Sequence, residues 1–121
     1  MKERIPEKLI VALEDLIRAV KKELGSFELY LIGSYARGDW VEGVSDVDII
    51  VVSKAFEGVN FYERCARIRR LAPPDTPFEI LCYTPEELER LREESSFLRE
   101  ASRYWIRLWP PKDLEKRARL R

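Results

Sequence analysis

The chain has 121 residues, 45% of them hydrophobic and 36% charged, and its 22 basic residues balance its 22 acidic ones. This length predicts one domain over residues 1–121, and the zero net charge provides no basic field for nucleic acid. The apolar runs are too short to cross a membrane and the start lacks a signal-peptide pattern, so we expect a cytoplasmic protein. Because the sequence contains no His, reactions that need a His base, nucleophile or metal ligand are excluded.

The first half of the chain predicts one helix and two strands with a short turn between them. Apolar residues recur at helical spacing in the helix and alternate with a period of two in the first strand. The second strand is apolar on both faces at its end, which is typical of a central strand. In chain order these are a helix over 9–24, a strand over 27–32, a helical turn over 35–38, a loop over 39–43 and a strand over 47–52.

The second half predicts a helix over 61–71, a strand over 78–83 and a helix over 84–105, with a charged tail within 109–121. Thr84, Pro85 and Glu87 form the pattern of a capped helix start. A break is expected near Ser95-Ser96. The element order α-β-turn-β-α-β-α predicts an α+β fold, a small mixed sheet flanked by helices.

Two acidic residues, Asp46 and Asp48, stand at the start of the second strand. Residues two apart in a strand point to the same side, so both carboxylates are expected at one place, where they repel each other. A pair of divalent cations would remove that repulsion and could hold a nucleoside triphosphate. In the structural alternative, Asp46 caps a turn and Asp48 faces solvent. Because acidic residues are depleted in strands, two on one face favour the functional interpretation.

The turn after the first strand carries Gly33 and Ser34. Glycine permits a positive φ and the close approach of a ligand, and backbone N–H groups in such a turn can bind phosphate oxygens. The Ser34 hydroxyl can bond a phosphate, and Arg37 can add a charge-assisted contact. Taken alone, the Gly-Ser pair fits a plain tight turn.

Glu79 interrupts the otherwise apolar third strand. Charged side chains are seldom buried without a partner. If the third strand lies beside the second, Glu79 could complete a carboxylate triad with Asp46 and Asp48, and could share a metal or deprotonate an attacking hydroxyl. If Glu79 instead lies on an edge strand and faces water, it needs no function.

Residues 33–38 (Gly-Ser-Tyr-Ala-Arg-Gly) and 45–49 (Ser-Asp-Val-Asp-Ile) together resemble the signature of the nucleotidyltransferase superfamily with a DNA polymerase β-like palm. The resemblance covers residues 27–83, and the short chain is similar to the minimal nucleotidyltransferase (MNT) domains. The third catalytic position of this family is more often Asp, so Glu79 departs from the pattern. The resemblance implies that Gly33 and Ser34 bind the triphosphate and that Asp46 and Asp48 ligate Mg²⁺. It also implies that Glu79 is the third catalytic carboxylate and a further metal ligand.

Members of the MNT group are often antitoxins of HEPN-type RNase toxins, and some transfer AMP from ATP to a tyrosine of the toxin. The resemblance therefore implies an ATP-dependent enzyme that uses two Mg²⁺ ions and has a HEPN-type toxin as its partner. Two alternatives stay open: a non-catalytic antitoxin that neutralises its partner by contact, and a small-molecule adenylyltransferase. Neither a homo-oligomer nor a hetero-oligomer is favoured by the sequence.

Three features outside this site allow more than one interpretation. The aromatic-rich stretch 104–109 is either the packed face of the last helix or a docking surface for a partner. Trp40 either stacks on a nucleotide base or covers the core. Cys65 and Cys82 are expected to be reduced thiols rather than a disulfide, because the chain is expected in the cytoplasm.

Overall fold

A computed structural model describes residues 5–111, which form a mixed α+β domain as the sequence predicts. No helix among these residues is long and apolar enough to span a membrane. The elements are, in chain order, α1 (Glu7–Leu24), β1 (Glu28–Ile32), α2 (Gly33–Arg37), β2 (Val47–Val52), a 3-10 turn (Lys54–Phe56), α3 (Phe61–Leu71), β3 (Phe78–Tyr83), α4 (Pro85–Glu94), α5 (Ser96–Ala101) and β4 (Ile106–Trp109).

The four strands form one sheet in the order β3-β2-β1-β4. Strand β1 is antiparallel to both β2 and β4, whereas β2 and β3 are parallel. A parallel pair needs a crossover connection, and α3 provides it between β2 and β3. The central position predicted for β2 is therefore confirmed.

Each face of the sheet has its own apolar cluster, because successive side chains in a strand point to opposite sides. Helices α1 and α3 pack on one face, where Leu29 and Ile49 are buried. Helices α4 and α5 pack on the other face, against Tyr30 and Ile50. The second face also carries Asp48, which is only half-buried. Hence α4 and α5 leave the part of this face around Asp48 open to solvent.

The start and the internal break predicted for the helix that follows Thr84 are confirmed. Thr84 and Glu87 form a reciprocal capping box at the start of α4, and Pro85 occupies the first turn. Ser95 ends α4 and its hydroxyl accepts a hydrogen bond from the Leu98 backbone N–H, which starts α5. The break predicted near Ser95-Ser96 is thus present.

The prediction of a helix that continues to Trp105 is wrong beyond residue 101, and the aromatic stretch 104–109 is not a helix. Residues 106–109 form β4, which pairs with β1. Ile106 and Leu108 pack against the cluster below α1, and Arg107 lies between them opposite Tyr30. Trp109 packs against the same cluster as Leu108, because the pairing with β1 shifts register at this point. Trp109, the first residue of the range given above for the charged tail, is the last residue of β4. Residues 112–121 lie outside the part of the chain that the structure describes.

Both cysteines are free thiols, as expected. Cys82 is fully buried in β3, and Cys65 packs against the same cluster from α3. They serve as small apolar side chains in the layer between α3 and the sheet.

Candidate active site

Two neighbouring strands, β2 and β3, bring acidic side chains together at one end of the sheet. In the register, Asp48 of β2 lies between Ile32, the last residue of β1, and Glu79 of β3. Since β2 and β3 are parallel and each acidic residue is the second of its strand, both side chains emerge on the same face. Asp48 is half-buried and Glu79 is exposed. The third strand therefore lies beside the second, which is the condition under which Glu79 could join Asp46 and Asp48. β3 is also an edge strand, as in the alternative in which Glu79 faces water.

Asp46 lies just before β2 and is exposed. Burial raises the pKa of the Asp48 carboxyl, and the negative charges of Asp46 and Glu79 raise it further, whereas Arg37 opposes them. The carboxylates of Asp46 and Glu79 and the guanidinium of Arg37 therefore all act electrostatically on the Asp48 carboxyl. A cation at this place would relieve the repulsion that the folded chain imposes on Asp48.

Gly33 starts α2 directly against the Asp48 carboxylate. Its φ is +72°, and a Cβ at this position would lie 2.2 Å from Asp48 Oδ2 and 3.0 Å from its Cγ. Both the backbone conformation and the lack of space therefore require glycine. Ser34 follows in the first turn of α2, and its carbonyl accepts hydrogen bonds from the N–H groups of Gly38 and Asp39.

Arg37 ends α2 and faces two partners. Its Nε donates to Asp39 Oδ2 at 3.3 Å, and its Nη1 donates to the hydroxyl of Tyr104 at 3.2 Å. Sequence reasoning did not find Tyr104 as part of this site, because 67 residues separate it from Arg37. No local pattern in the sequence could have indicated this contact, which depends on how β4 returns to the sheet.

The loop between α2 and β2 is held by its own hydrogen bonds. Val41 N–H donates to Ser45 Oγ at 2.8 Å, and Ser45 N–H donates to the Val41 carbonyl at 2.9 Å. Trp40 is buried and its ring stacks on Tyr35 at 5.2 Å between centroids. This packing favours the interpretation in which Trp40 covers the core. The loop thereby fixes the chain direction that leads into Asp46.

The acidic residues of this site are candidate ligands of a metal ion. Within residues 5–111, no three His, Cys, Asp or Glu side chains are gathered closely enough to form a ready-made metal cage. Mg²⁺ does not need one, because it is usually bound by one or two carboxylates together with substrate phosphates. Asp46 and Asp48 supply oxygen donors of this kind, and burial, followed by the negative charges of Asp46 and Glu79, raises the pKa of the Asp48 carboxyl. The donor set therefore fits a metal that binds together with a nucleotide.

Comparisons with known proteins indicate the family and the fold of this chain. Residues 13–120 match the family model of the nucleotidyltransferase domain. A proposed nucleotidyltransferase from Sulfolobus solfataricus shares the fold, with a TM-score of 0.64 and 20% identity over 84% of this chain and 80% of its own. A second solved structure, also of a proposed nucleotidyltransferase, has a TM-score of 0.56 and 28% identity over 79% of this chain and 96% of its own.

No curated protein matches this chain in sequence. The family model nevertheless covers most of the chain, including every acidic residue of the site. Domains of this kind generally use a nucleoside triphosphate and a divalent metal. The chain therefore belongs to the nucleotidyltransferase domain family, whose common reaction is nucleotidyl transfer.

Proposed function

We propose that the chain is a Mg²⁺-dependent adenylyltransferase that moves AMP from ATP to a tyrosine hydroxyl of a HEPN-type RNase toxin, and so acts as its antitoxin in the cytoplasm. The observation that carries the enzymatic part is the register of Asp48 with Glu79, beside the side-chain-free Gly33. The choice of acceptor and partner is supported by the resemblance of residues 33–38 and 45–49 to MNT domains.

The phosphate end of the site is formed by α2. Gly33 keeps side-chain atoms away from the Asp48 carboxylate, and Ser34 and Arg37 add a hydroxyl and a guanidinium on the same short helix. A guanidinium binds phosphate oxygens through charge-assisted hydrogen bonds. In this proposal these groups orient the triphosphate and offset the negative charge that builds on its oxygens.

In this proposal the three carboxylates have two roles, metal binding and proton transfer. Asp46 and Asp48 would hold Mg²⁺, which when bound supplies positive charge to the phosphates and to the departing pyrophosphate. The acceptor tyrosine oxygen forms a bond to the α-phosphorus, and the bond from that phosphorus to pyrophosphate breaks. Glu79 receives the tyrosine proton, because it is exposed to an incoming acceptor and lies next to Asp48 in the register. The absence of His is compatible with this route.

The direct test is transfer of radiolabel from [α-³²P]ATP to a partner. The chain is co-expressed with the product of the adjacent gene, and the modified residue is located by mass spectrometry. We expect label on a partner tyrosine with the wild type and none with the double variant Asp46→Asn/Asp48→Asn. Asp75→Asn is the matched control, because Asp75 is an exposed aspartate in the loop before β3. Equal labelling by the double variant and the wild type would overturn the proposal.

A second candidate, a non-catalytic antitoxin, is favoured by one observation. The third carboxylate of the site, Glu79, is exposed on the edge strand β3, and it is a Glu where the family that the chain resembles more often has Asp. If neutralisation depends on contact alone, Asp46→Asn/Asp48→Asn will still bind the partner and rescue cell growth. If the double variant binds the partner but loses all protection, this second candidate is excluded.

A further inference from the structure

Arg37 is a long side chain in a partly open site. Its side chain is 46% exposed, and it ends α2, the short helix that begins at Gly33 directly against the Asp48 carboxylate. An exposed arginine that is free to rotate loses rotamer entropy when it binds an anion. If contacts within the folded chain already hold the guanidinium, that entropy is lost before the anion arrives, and binding is tighter.

Tyr104 makes two kinds of contact with this guanidinium. Its hydroxyl accepts a hydrogen bond from Arg37 Nη1 at 3.2 Å, and its ring centroid lies 5.5 Å from Arg37 Cζ. The first contact fixes a direction through an oxygen lone pair, and the second adds a cation–π attraction that does not need the hydroxyl. Asp39 bonds the Nε of the same guanidinium, so the group is held from two sides.

The backbone around Tyr104 is itself held in place. The N–H groups of Tyr104 and Trp105 both donate to the Ala101 carbonyl at the end of α5, at 3.1 and 2.9 Å. The ring of Trp105 packs on Tyr30 of β1 with 4.3 Å between centroids. Tyr104 therefore approaches Arg37 from a turn that is fixed to the sheet, and not from a loose loop.

We propose that Tyr104 is a positioning residue for nucleotide binding: it holds the Arg37 guanidinium ready for the phosphates of the incoming triphosphate. This inference rests on the proposed function, because it assumes that Arg37 contacts the nucleotide. It adds a residue from the C-terminal half of the domain to a site whose other groups come from residues 33–79. Tyr104 acts through Arg37 and needs no contact with the substrate.

The test measures nucleotide affinity, so no acceptor has to be known. Calorimetry gives the Kd of the Mg²⁺ complex of an ATP analogue with a methylene group between its α- and β-phosphates. We expect Tyr104→Phe, which keeps the ring and removes the hydroxyl, to raise this Kd about fivefold, the effect of one hydrogen bond. Tyr104→Leu, which also removes the ring, should raise it further. Tyr62→Phe is the matched control, because Tyr62 is 81% exposed on α3.

A double-mutant cycle separates positioning from a merely structural role. In an Arg37→Gln background, Tyr104→Phe should cause no further loss of affinity, because the group that it positions is gone. In the free protein, the NMR signal of the Arg37 Nε–H group should shift in Tyr104→Phe and stay in place in Tyr62→Phe. Thermal midpoints of all variants confirm that they fold.

Two results would overturn the inference while the proposed function stands. One is a Kd for Tyr104→Phe equal to that of Tyr62→Phe, with the wild type binding the analogue. The other is an equal loss from Tyr104→Phe in both backgrounds, which would mean that the tyrosine acts independently of Arg37. Failure of the wild type to bind the analogue at all would instead overturn the proposed function, and the nucleotide role of Tyr104 with it.

Discussion

The Asp48 carboxylate occupies the space in which a side chain at Gly33 would begin. A Cβ on Gly33 would stand 2.2 Å from Asp48 Oδ2, and the φ of Gly33 is +72°. The end of β1 and the start of β2 are thus packed so closely that the turn at Gly33 and the Asp48 side chain form one structural unit. A side chain at residue 33 would displace the Asp48 carboxylate.

Gly33→Ala should therefore damage both stability and activity. A positive φ costs an alanine about 1 kcal/mol relative to glycine, and the contact with Asp48 adds a displacement of the carboxylate. We expect nucleotidyl transfer to fall about 100-fold, because misplacing a reacting group by about 1 Å can cost that much. Gly58→Ala is the matched control: Gly58 has a φ of +76°, but a Cβ there meets nothing within 4 Å. If both variants lose equal activity, the contact with Asp48 is not the cause.

Asp48→Asn should make the metal-free protein more stable while it removes activity. The pKa of Asp48 is raised in the folded state by burial and by Asp46 and Glu79. A carboxyl with a raised folded pKa contributes stability below its unfolded pKa and loses that contribution as the pH rises through the folded pKa. At pH 7 the wild type therefore bears the cost of a charged Asp48, and the Asn variant does not.

Thermal unfolding in EDTA checks this prediction. The melting midpoint of Asp48→Asn should exceed that of the wild type at pH 7, and the difference should shrink at about pH 3, below the usual pKa of an aspartate. Transfer activity should be at least about 100-fold lower than in the wild type, because the variant lacks a carboxylate that we propose as a Mg²⁺ ligand. The exposed Asp75→Asn serves as the control. A lower midpoint for Asp48→Asn at pH 7 would contradict the electrostatic account of the site.

Glu79 distinguishes the enzyme from the contact-only antitoxin. If Glu79 takes the acceptor proton, Glu79→Gln should lower turnover about 10²- to 10⁴-fold, the usual contribution of a general base. Glu79→Asp keeps a carboxylate one carbon shorter and should retain part of the activity. Glu89→Gln, at an exposed glutamate of α4, is the control. Turnover that is unaffected by Glu79→Gln would show that this carboxylate has no part in the reaction.

Alternation along a strand is a local property, so the sequence predicts that Asp46 and Asp48 share one side. Asp48 and Glu79 each hold the second position of an apolar strand, but the sequence left their meeting as a condition, because it depends on the parallel pairing of β2 with β3. The stretch 106–109 was assigned wrongly because four residues carry too little periodicity to separate a short edge strand from the end of a helix. The contact of Tyr104 with Arg37 could not be predicted, since it forms only when β4 pairs with β1.

Arg64 joins α3, β3 and α4 from a buried position. Its guanidinium donates to both carboxylate oxygens of Glu87, at 2.6 and 3.1 Å, and to the carbonyls of Val59 and Cys82. Removing one partner of a buried pair leaves the other groups unsatisfied. We expect Arg64→Met to lower the free energy of unfolding by about 2–4 kcal/mol, measured by urea denaturation. Arg67→Met is the control, because the Arg67 pair with Glu23 is more exposed and such pairs contribute less than about 1 kcal/mol.

The same pair predicts a dependence of stability on pH. Hydrogen bonds from Arg64 lower the pKa of Glu87, with burial acting in the opposite direction. A carboxyl with a lowered folded pKa contributes stability above its unfolded pKa and loses it as the pH falls through the folded pKa. Acidification should therefore destabilise the protein through Glu87, and Glu87→Gln should remove this part of the loss.

The contribution of Asp48 to stability changes with pH in the opposite direction, because its pKa is raised and not lowered. Urea denaturation at a series of pH values is therefore best carried out in the Asp48→Asn background, where this contribution is absent. With Glu87 present, the free energy of unfolding should fall more steeply on acidification than with Gln at this position, because only the carboxylate loses its charge-assisted bonds to Arg64. Parallel pH profiles for the two proteins would mean that the guanidinium stabilises the junction of α3 and α4 through its bonds to the Val59 and Cys82 carbonyls alone.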